Sequence, residues 1–400
     1  MQLKPALLGN TPAFTDQVPV VRPFLPRHED LLPGLQDMLS SGKLTAGQHL
    51  KRFEAAVADY LGVRHALAVS SCTTGLMLTY RGLGLTGEVI VPSFTFMATV
   101  SALVWAGLKP VFADVDVHTY TLDPTAVEAV ITPRTSAIVP VHTFGNPADI
   151  ETLQTLAERH QLKLIFDAAH GFGTHYQGKP VGVQGDAQVY SLSPTKLLIA
   201  GEGGIVATND TALADYIRIG REYGNSGGYD SAFAGFNARM SEFHALLGLR
   251  SLDQLEDAVV RRNQLADVYR EQLRPLPGIG MQIIRPGNRS SYKDFSITID
   301  ADQFGLSRDA LALALAAENI DTRKYYHPPV HRQTAYRQFA SPALDLTDTD
   351  QLAAQSLSLP LWSHMDEHIA HQICHAIERN HAFAAEVKEA LKHRQKLAAA

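Results

Sequence analysis

Through the first 210 residues, short β-rich apolar runs alternate with amphipathic helical stretches. The apolar runs are His65–Ser70, Glu88–Pro92, Pro110–Val115, Ala137–Val141, Leu164–Asp167, Val189–Ser191 and Gly204–Thr208. Between them lie helical patterns at Gln48–Tyr60, Thr74–Arg81, Ala98–Ala106 and Asp149–His160. Each strand can bury its two faces only if helices cover both. The alternation therefore predicts an α/β fold: a mostly parallel, seven-stranded sheet with helices on both faces. Ligands of such sheets gather at the carboxyl ends of the strands.

The pattern then changes. Met240 to Leu273 reads as one long helical stretch, ended by Pro275 and Pro277-Gly278. A smaller α+β segment follows, with a strand-like Phe295–Ile299, a helix from Arg308 to Asn319 and a terminal helix from about Met365 to Leu391. A 400-residue chain accommodates two domains at about 100–200 residues each. The expected division is an N-terminal segment 1–25, a large domain 26–254 and a small C-terminal domain 255–400, with the Ala398–Ala400 tail frayed.

A formal net charge of −6 gives no electrostatic footprint for nucleic acid or an anionic membrane surface. Two cysteines, Cys72 and Cys374, are too few for a disulfide framework or a four-cysteine zinc site, which points to a reducing cytoplasm. The N-terminal residues show no signal peptide, the apolar run being only three residues long. Val89 to Leu108 is twenty residues without a charge, yet Pro92, Ser93 and three further hydroxyl residues make it a buried strand, turn and helix rather than a membrane span.

Three motifs mislead. Gly82-Leu-Gly84-Leu-Thr-Gly87 matches a dinucleotide fingerprint, but a helix precedes it and a strand follows. That order is the reverse of what a pyrophosphate at a helix N-terminus needs, so it reads as a helix stop and turn. His364, His368, His371 and His375 share one helical face without an H-E-x-x-H arrangement, and read as a polar stripe rather than a metal site. His327 and His331 are separated by Pro328 and Pro329, which forbid the helix that would pair them.

The chemistry concentrates between Phe166 and Gly204. Asp167 ends the very apolar run Leu164-Ile165-Phe166, so its carboxylate emerges at the sheet's carboxyl edge and needs a partner. Lys196 sits in a Ser/Thr/Pro turn, followed by Leu197, Leu198, Ile199 and Ala200; partial desolvation lowers an amine's pKa and makes it a nucleophile toward carbonyls. The alternative is a structural Lys196–Asp167 ion pair. Ser70-Ser71-Cys72-Thr73-Thr74-Gly75 follows a strand and opens a helix, which suits a phosphate monoester, or equally an ordinary N-cap. Ser191 adds a hydroxyl five residues before the lysine. A carbonyl-seeking lysine, a carboxylate for a ring nitrogen and a phosphate cradle are the three things pyridoxal phosphate requires.

The sequence resembles the DegT/DnrJ/EryC1/StrS sugar aminotransferases, which share the fold type I architecture of aspartate aminotransferase. The resemblance runs from Gly47 with Phe53-Glu54 through Pro92-Ser-Phe-Thr-Phe96 and Pro140-Val-His142 to the Asp167–Gly204 block. It continues through Gly235-Phe-Asn237-Ala-Arg239-Met-Ser-Glu242 and Tyr325-Tyr-His-Pro-Pro-Val-His331 to Ser358-Leu-Pro360. It implies that Lys196 carries the cofactor and then shuttles the proton, and that Asp167 pairs with the pyridine nitrogen. His170 would contact the phenolic oxygen, where many members have Gln, and Phe96 would stack on the ring. Thr73, Thr74 and Ser191 would hold the phosphate, with Asn237 reaching it from the neighbouring subunit of a homodimer. Members commonly have Gly where this chain has Cys72. Arg239, Tyr326 and His331 are candidates for substrate contact, or for plain fold contacts. The implied reaction moves an amino group from an amino acid, L-glutamate by expectation, to a nucleotide-linked keto sugar. A keto-cyclitol acceptor, a non-catalytic cofactor-binding regulator and a nicotinamide-dependent sugar dehydrogenase remain alternatives. The family's dehydratases place His where this chain has Lys196.

Overall fold

A computed structural model of the chain describes residues 4–341 and 344–399; residues 1–3 of the N-terminal reading and Ala400 of the expected frayed tail lie outside them. All seven predicted strands form and belong to one sheet. They are β1 (His65–Val69), β2 (Glu88–Pro92), β3 (Lys109–Ala113), β4 (Thr135–Ile138), β5 (Lys163–Asp167), β6 (Ala187–Ser191) and β7 (Gly204–Thr208). Their order is β1-β7-β6-β5-β4-β2-β3. Pairing is parallel from β3 through β6, and only β7 runs against its neighbours β6 and β1.

Alternate residues of one strand serve opposite layers. Val89 and Val91 pack with Leu76, Leu103 and Leu213 from helices Cys72–Gly82, Met97–Trp105 and Thr211–Gly220. Ile90, between them, packs with Leu153 and Leu156 of helix Ile150–His160. The only charge on β2, Glu88, is buried at its amino end and collects Thr132 Oγ1 (2.7 Å), Lys109 Nζ (3.1 Å) and Arg134 Nη2 (2.9 Å). The Thr132 hydrogen bond, then those from Arg134 and Lys109, hold its carboxyl down to about 2 against the opposing effect of burial.

A second core surrounds a three-stranded antiparallel sheet of β8 (Ile279–Met281), β9 (Phe295–Ile299) and β10 (Ser356–Leu359). Leu311, Leu315, Ile373 and Ile377 pack there from helices Arg308–Ala317 and Glu367–Ala382. Leu7 and Val18 join the same core, and Val18 bridges to Ile320. Helix Leu255–Leu273 belongs to both cores: Leu255 and Val259 pack in the first, Leu265, Tyr269 and Leu273 in the second.

Two helical expectations are corrected. Met240–Leu273 is not one helix but two, Glu242–Leu252 and Leu255–Leu273, because the first packs on helix Gln48–Leu61 and the second on helix Glu367–Ala382. Met365–Leu391 likewise splits at Phe383 into Glu367–Ala382 and Ala384–Ala399, the latter packing on Ala6–Leu8. His364 therefore precedes the helix that carries His368, His371 and His375, and stacks on Phe24 at 5.7 Å. His371 has a carboxylate neighbour, Glu367, at 3.7 Å. The Gly82–Gly87 stretch is the helix end and turn that its order predicts, with Gly84 and Gly87 at positive φ before β2. Residues 89–108 form the strand, turn and helix expected of them, and no helix of the described residues is long and apolar enough to cross a membrane.

Candidate active site

Four of the parallel strands deliver their carboxyl ends to one cleft of about 430 Å³. After β1, Ser71 caps helix Cys72–Gly82: its Oγ accepts from Thr74 N and Thr74 Oγ1 accepts from Ser71 N, both at 3.1 Å. This reciprocal box commits the Thr74 hydroxyl to the helix end and leaves the Cys72 and Thr73 N–H groups without intrahelical partners. Two glycines permit the fit. A Cβ on Gly75 would meet Val189 at 2.9 Å, and one on Gly204 would meet the Cys72 amide nitrogen at 2.6 Å.

Asp167 terminates β5 and is 4% exposed. Thr99 Oγ1 donates to its Oδ2 at 2.7 Å and Ala169 N to its Oδ1 at 3.0 Å. Burial raises its pKa, while the Thr99 and Ala169 hydrogen bonds and the Lys196 charge oppose the rise. The turn after β6 is fixed at both ends. Lys196 N donates to Ser193 O (3.0 Å), Ala200 N to Leu192 O (2.9 Å) and Ile199 N to Ser251 Oγ (3.0 Å), while Leu197 to Ala200 are buried. Lys196 makes no ion pair with Asp167 among the described residues, so the structural-pair reading is not what the fold builds. Burial, then the neighbouring Lys293 charge, pushes the Lys196 amine down to about 8.

The same cleft is lined by Thr73, Phe96, His170, Ser191 and Tyr326. Phe96 is 53% exposed at the head of helix Met97–Trp105, an unburied ring face beside the lysine. The His170 imidazole is kept neutral by burial and by the Lys196 and Lys293 charges, and its buried Nδ1 has no hydrogen-bond partner among the described residues. An orphaned ring nitrogen, an unpaired lysine, a buried carboxylate and a free helix N-terminus fit the phenolic oxygen, aldehyde, ring nitrogen and phosphate of pyridoxal phosphate.

Four sequence candidates lie off this cleft. Thr74 is the cap just described. Arg239 Nη1 binds Glu222 Oε2 (3.1 Å) and its Nη2 donates to Asn237 Oδ1 (3.1 Å), so Asn237 and Arg239 hold each other outside this chain's own site. His331 joins a Ser93–His331–Asp350 line whose first two members are buried, with Ser93 Oγ 2.7 Å from Nδ1 and Asp350 Oδ1 3.3 Å from Nε2. It resembles a nucleophile triad in composition only. Ser93 is fully buried and its Oγ accepts the His331 N–H at 2.9 Å, so the line pins a loop to the end of β2. Conversely, the cleft contains residues that sequence patterns passed over: Thr99, Glu202, Lys293, Asp294 and Tyr325. Thr99 reads as one more position of an apolar helix. Lys293-Asp294 reads as solvent-facing charge ahead of a strand.

Fold and donor set together define a pyridoxal phosphate enzyme that works through a lysine. The family model described as the DegT/DnrJ/EryC1/StrS aminotransferase family matches residues 27–378. The chain is 37% identical to the dTDP-3-amino-3,4,6-trideoxy-alpha-D-glucose transaminase of Streptomyces venezuelae, covering 85% of this chain and 89% of that one. It is 34% identical to the dTDP-4-amino-4,6-dideoxy-D-glucose transaminase of Escherichia coli, over 89% and 96% of the two chains. Among solved structures, DesI in the presence of its TDP-sugar product superposes with a TM-score of 0.90 at 38% identity, covering 98% of this chain and 99% of that one. The chain belongs to the DegT/DnrJ/EryC1/StrS aminotransferase family. It is a pyridoxal phosphate-dependent aminotransferase.

Proposed function

We propose that this aminotransferase moves an amino group from L-glutamate to a nucleotide-linked keto-deoxysugar, as a cytoplasmic homodimer whose partner supplies Asn237 to each phosphate site. The observation that carries the reading is the unpaired Lys196 amine in one cleft with buried Asp167, orphaned His170 Nδ1 and a wall of Tyr325, Tyr326, Lys293 and Asp294. That wall extends beyond what the cofactor needs and suits a polar acceptor. The relatives named above act on dTDP-linked amino sugars.

Bound pyridoxal phosphate supplies an electrophilic carbon and an electron sink for the carbanion formed at the substrate carbon. Lys196 Nζ, near pKa 8, is about one-tenth neutral at pH 7, far more than an ordinary lysine, so it can take a proton from carbon and return it. Asp167 holds a proton on the ring nitrogen, and Thr99 and Ala169 keep its carboxylate charged despite burial. His170 Nδ1 would hold the phenolic oxygen of the bound cofactor. The N–H groups of Cys72 and Thr73, with the Thr73 and Ser191 hydroxyls, bind the phosphate. Incubation with L-glutamate and a panel of nucleotide-linked keto sugars and keto-cyclitols, read by mass spectrometry of the aminated product, tests the assignment. Amination of cyclitols alone would overturn the acceptor, and no amination from glutamate would overturn the donor.

A further inference from the structure

Lys293 and Asp294 are adjacent residues at the entry to β9, 5% and 4% exposed, and both line the cleft. The Lys293 ammonium lies 2.9 Å and 3.0 Å from the two Asp294 carboxylate oxygens and 5.7 Å from the Tyr325 ring centroid. Their backbone is anchored on both sides: Lys293 N donates to Phe144 O at 3.0 Å, and buried Arg262 Nη1 donates to Tyr292 O and Lys293 O, both at 2.9 Å. A buried ion pair costs about as much in desolvation as it returns, so stability alone does not account for one at this position. Tuning of Lys196 does not account for it either, since Lys293 lowers and Asp294 raises that amine and the pair's effects oppose each other.

We infer that Lys293 and Asp294 form the subsite that grips hydroxyl groups on the sugar ring of the acceptor, a role resting on the keto-sugar reading above. A paired lysine and aspartate present donors and acceptors side by side with no net charge. That is the complement of a hydroxyl, which both gives and takes a hydrogen bond. It is a poor complement to the carboxylates of an amino donor, which need uncompensated positive charge. The pair stands next to Tyr325 and Tyr326, whose aromatic faces and phenols extend the same wall. Those residues leave Phe96, Asp167, His170 and Lys196 free for the cofactor. The pair is thus a specificity determinant that touches substrate in only one of the two half-reactions.

The test follows those half-reactions separately by the cofactor's absorbance in a rapid-mixing instrument, using the holoenzyme, L-glutamate alone, and then a dTDP-linked keto-deoxysugar. The double variant Lys293→Met/Asp294→Asn removes both charges and so leaves neither stranded. The expected result is a donor half-reaction that changes far less than the acceptor half-reaction, the shared part coming from loss of the Lys293 charge near Lys196 and His170. The acceptor half-reaction is expected to lose on the order of 100-fold or more in kcat/KM, as a site built to hydrogen-bond a hydroxyl does when that bond is lost. Equal loss in both half-reactions, loss confined to the donor, or no loss in either would each overturn the subsite. If the double variant does not fold, wild-type enzyme is given acceptors lacking one ring hydroxyl at a time. One such deletion should cost at least tenfold, and a flat series overturns the proposal. Wild type that accepts glutamate but no keto sugar refutes the acceptor reading itself, and the subsite with it.

Discussion

Replacing Thr99 with valine removes one hydroxyl and keeps the side chain's shape. In the native cleft that hydroxyl has a single proton and three oxygen neighbours: Asp167 Oδ2 at 2.7 Å, Thr95 Oγ1 at 2.9 Å and Phe96 O at 3.1 Å. The shortest contact is to the charged group, so the proton goes to Asp167 and Thr95 donates to Thr99 in turn. A hydrogen bond to a charged acceptor contributes about 1.5–3 kcal/mol. Its loss raises the Asp167 pKa further, in the direction burial already pushes it. A carboxylate with a raised pKa protonates at higher pH. The acid limb of kcat/KM against pH should therefore move upward, while the alkaline limb stays. Turnover should fall on the acid side of that profile, where Asp167 becomes neutral at a higher pH than in wild type. Thr99→Ser restores the donor and should restore the profile. An unmoved acid limb with turnover within about twofold of wild type, in a variant that melts normally, would refute the claim that Thr99 keeps Asp167 charged.

Borohydride reduction of the purified protein should attach the cofactor to Lys196 and to no other lysine, as peptide mapping would show; a label elsewhere sinks the assignment. Co-refolded Lys196→Ala and Asn237→Ala chains, each dimeric and strongly impaired alone, should regain partial activity, because one site of each heterodimer has both residues intact. Verified heterodimers no more active than their parents would return Asn237 to a role within its own chain. Glu88 has a folded pKa of about 2 against an ordinary 4.5, so its stabilisation is complete above about 4.5 and is lost as pH falls toward 2. Glu88→Gln should lower the melting temperature at pH 7 and flatten its fall between pH 5 and 2. Parallel melting curves for variant and wild type across that range would contradict this.

The seven strands were legible because each carries a short, largely buried apolar stretch bounded by turn residues, and that pattern is a local property. Asp167 and Lys196 were legible for a related reason, as charges placed where buried strands end. What escaped depends on partners distant in sequence. Thr99 meets Asp167 across 68 positions, and nothing around it separates that threonine from a helical Thr facing the core. Lys293-Asp294 acquires meaning only because Phe144 and Arg262 draw its backbone inward. The break at Asp253–Gln254 carries neither glycine nor proline; the two packing surfaces on either side impose it. Conversely, the resemblance blocks at Gly47 and Glu242 prove to be one local structure, the Glu242 carboxylate accepting from the N–H groups of Gly47, His49 and Leu50.

Helix Leu255–Leu273 has a consequence for how the molecule comes apart. Its first turn is packed under the seven-stranded sheet and its last three turns under the three-stranded one, so one rigid rod is a structural member of both halves. Loss of either core strips one end of that rod of its packing and weakens the other. Heat or denaturant should thus dismantle both halves in a single cooperative step. A protease cutting between them should find no bond whose scission leaves two intact pieces, because the connector is itself load shared by each.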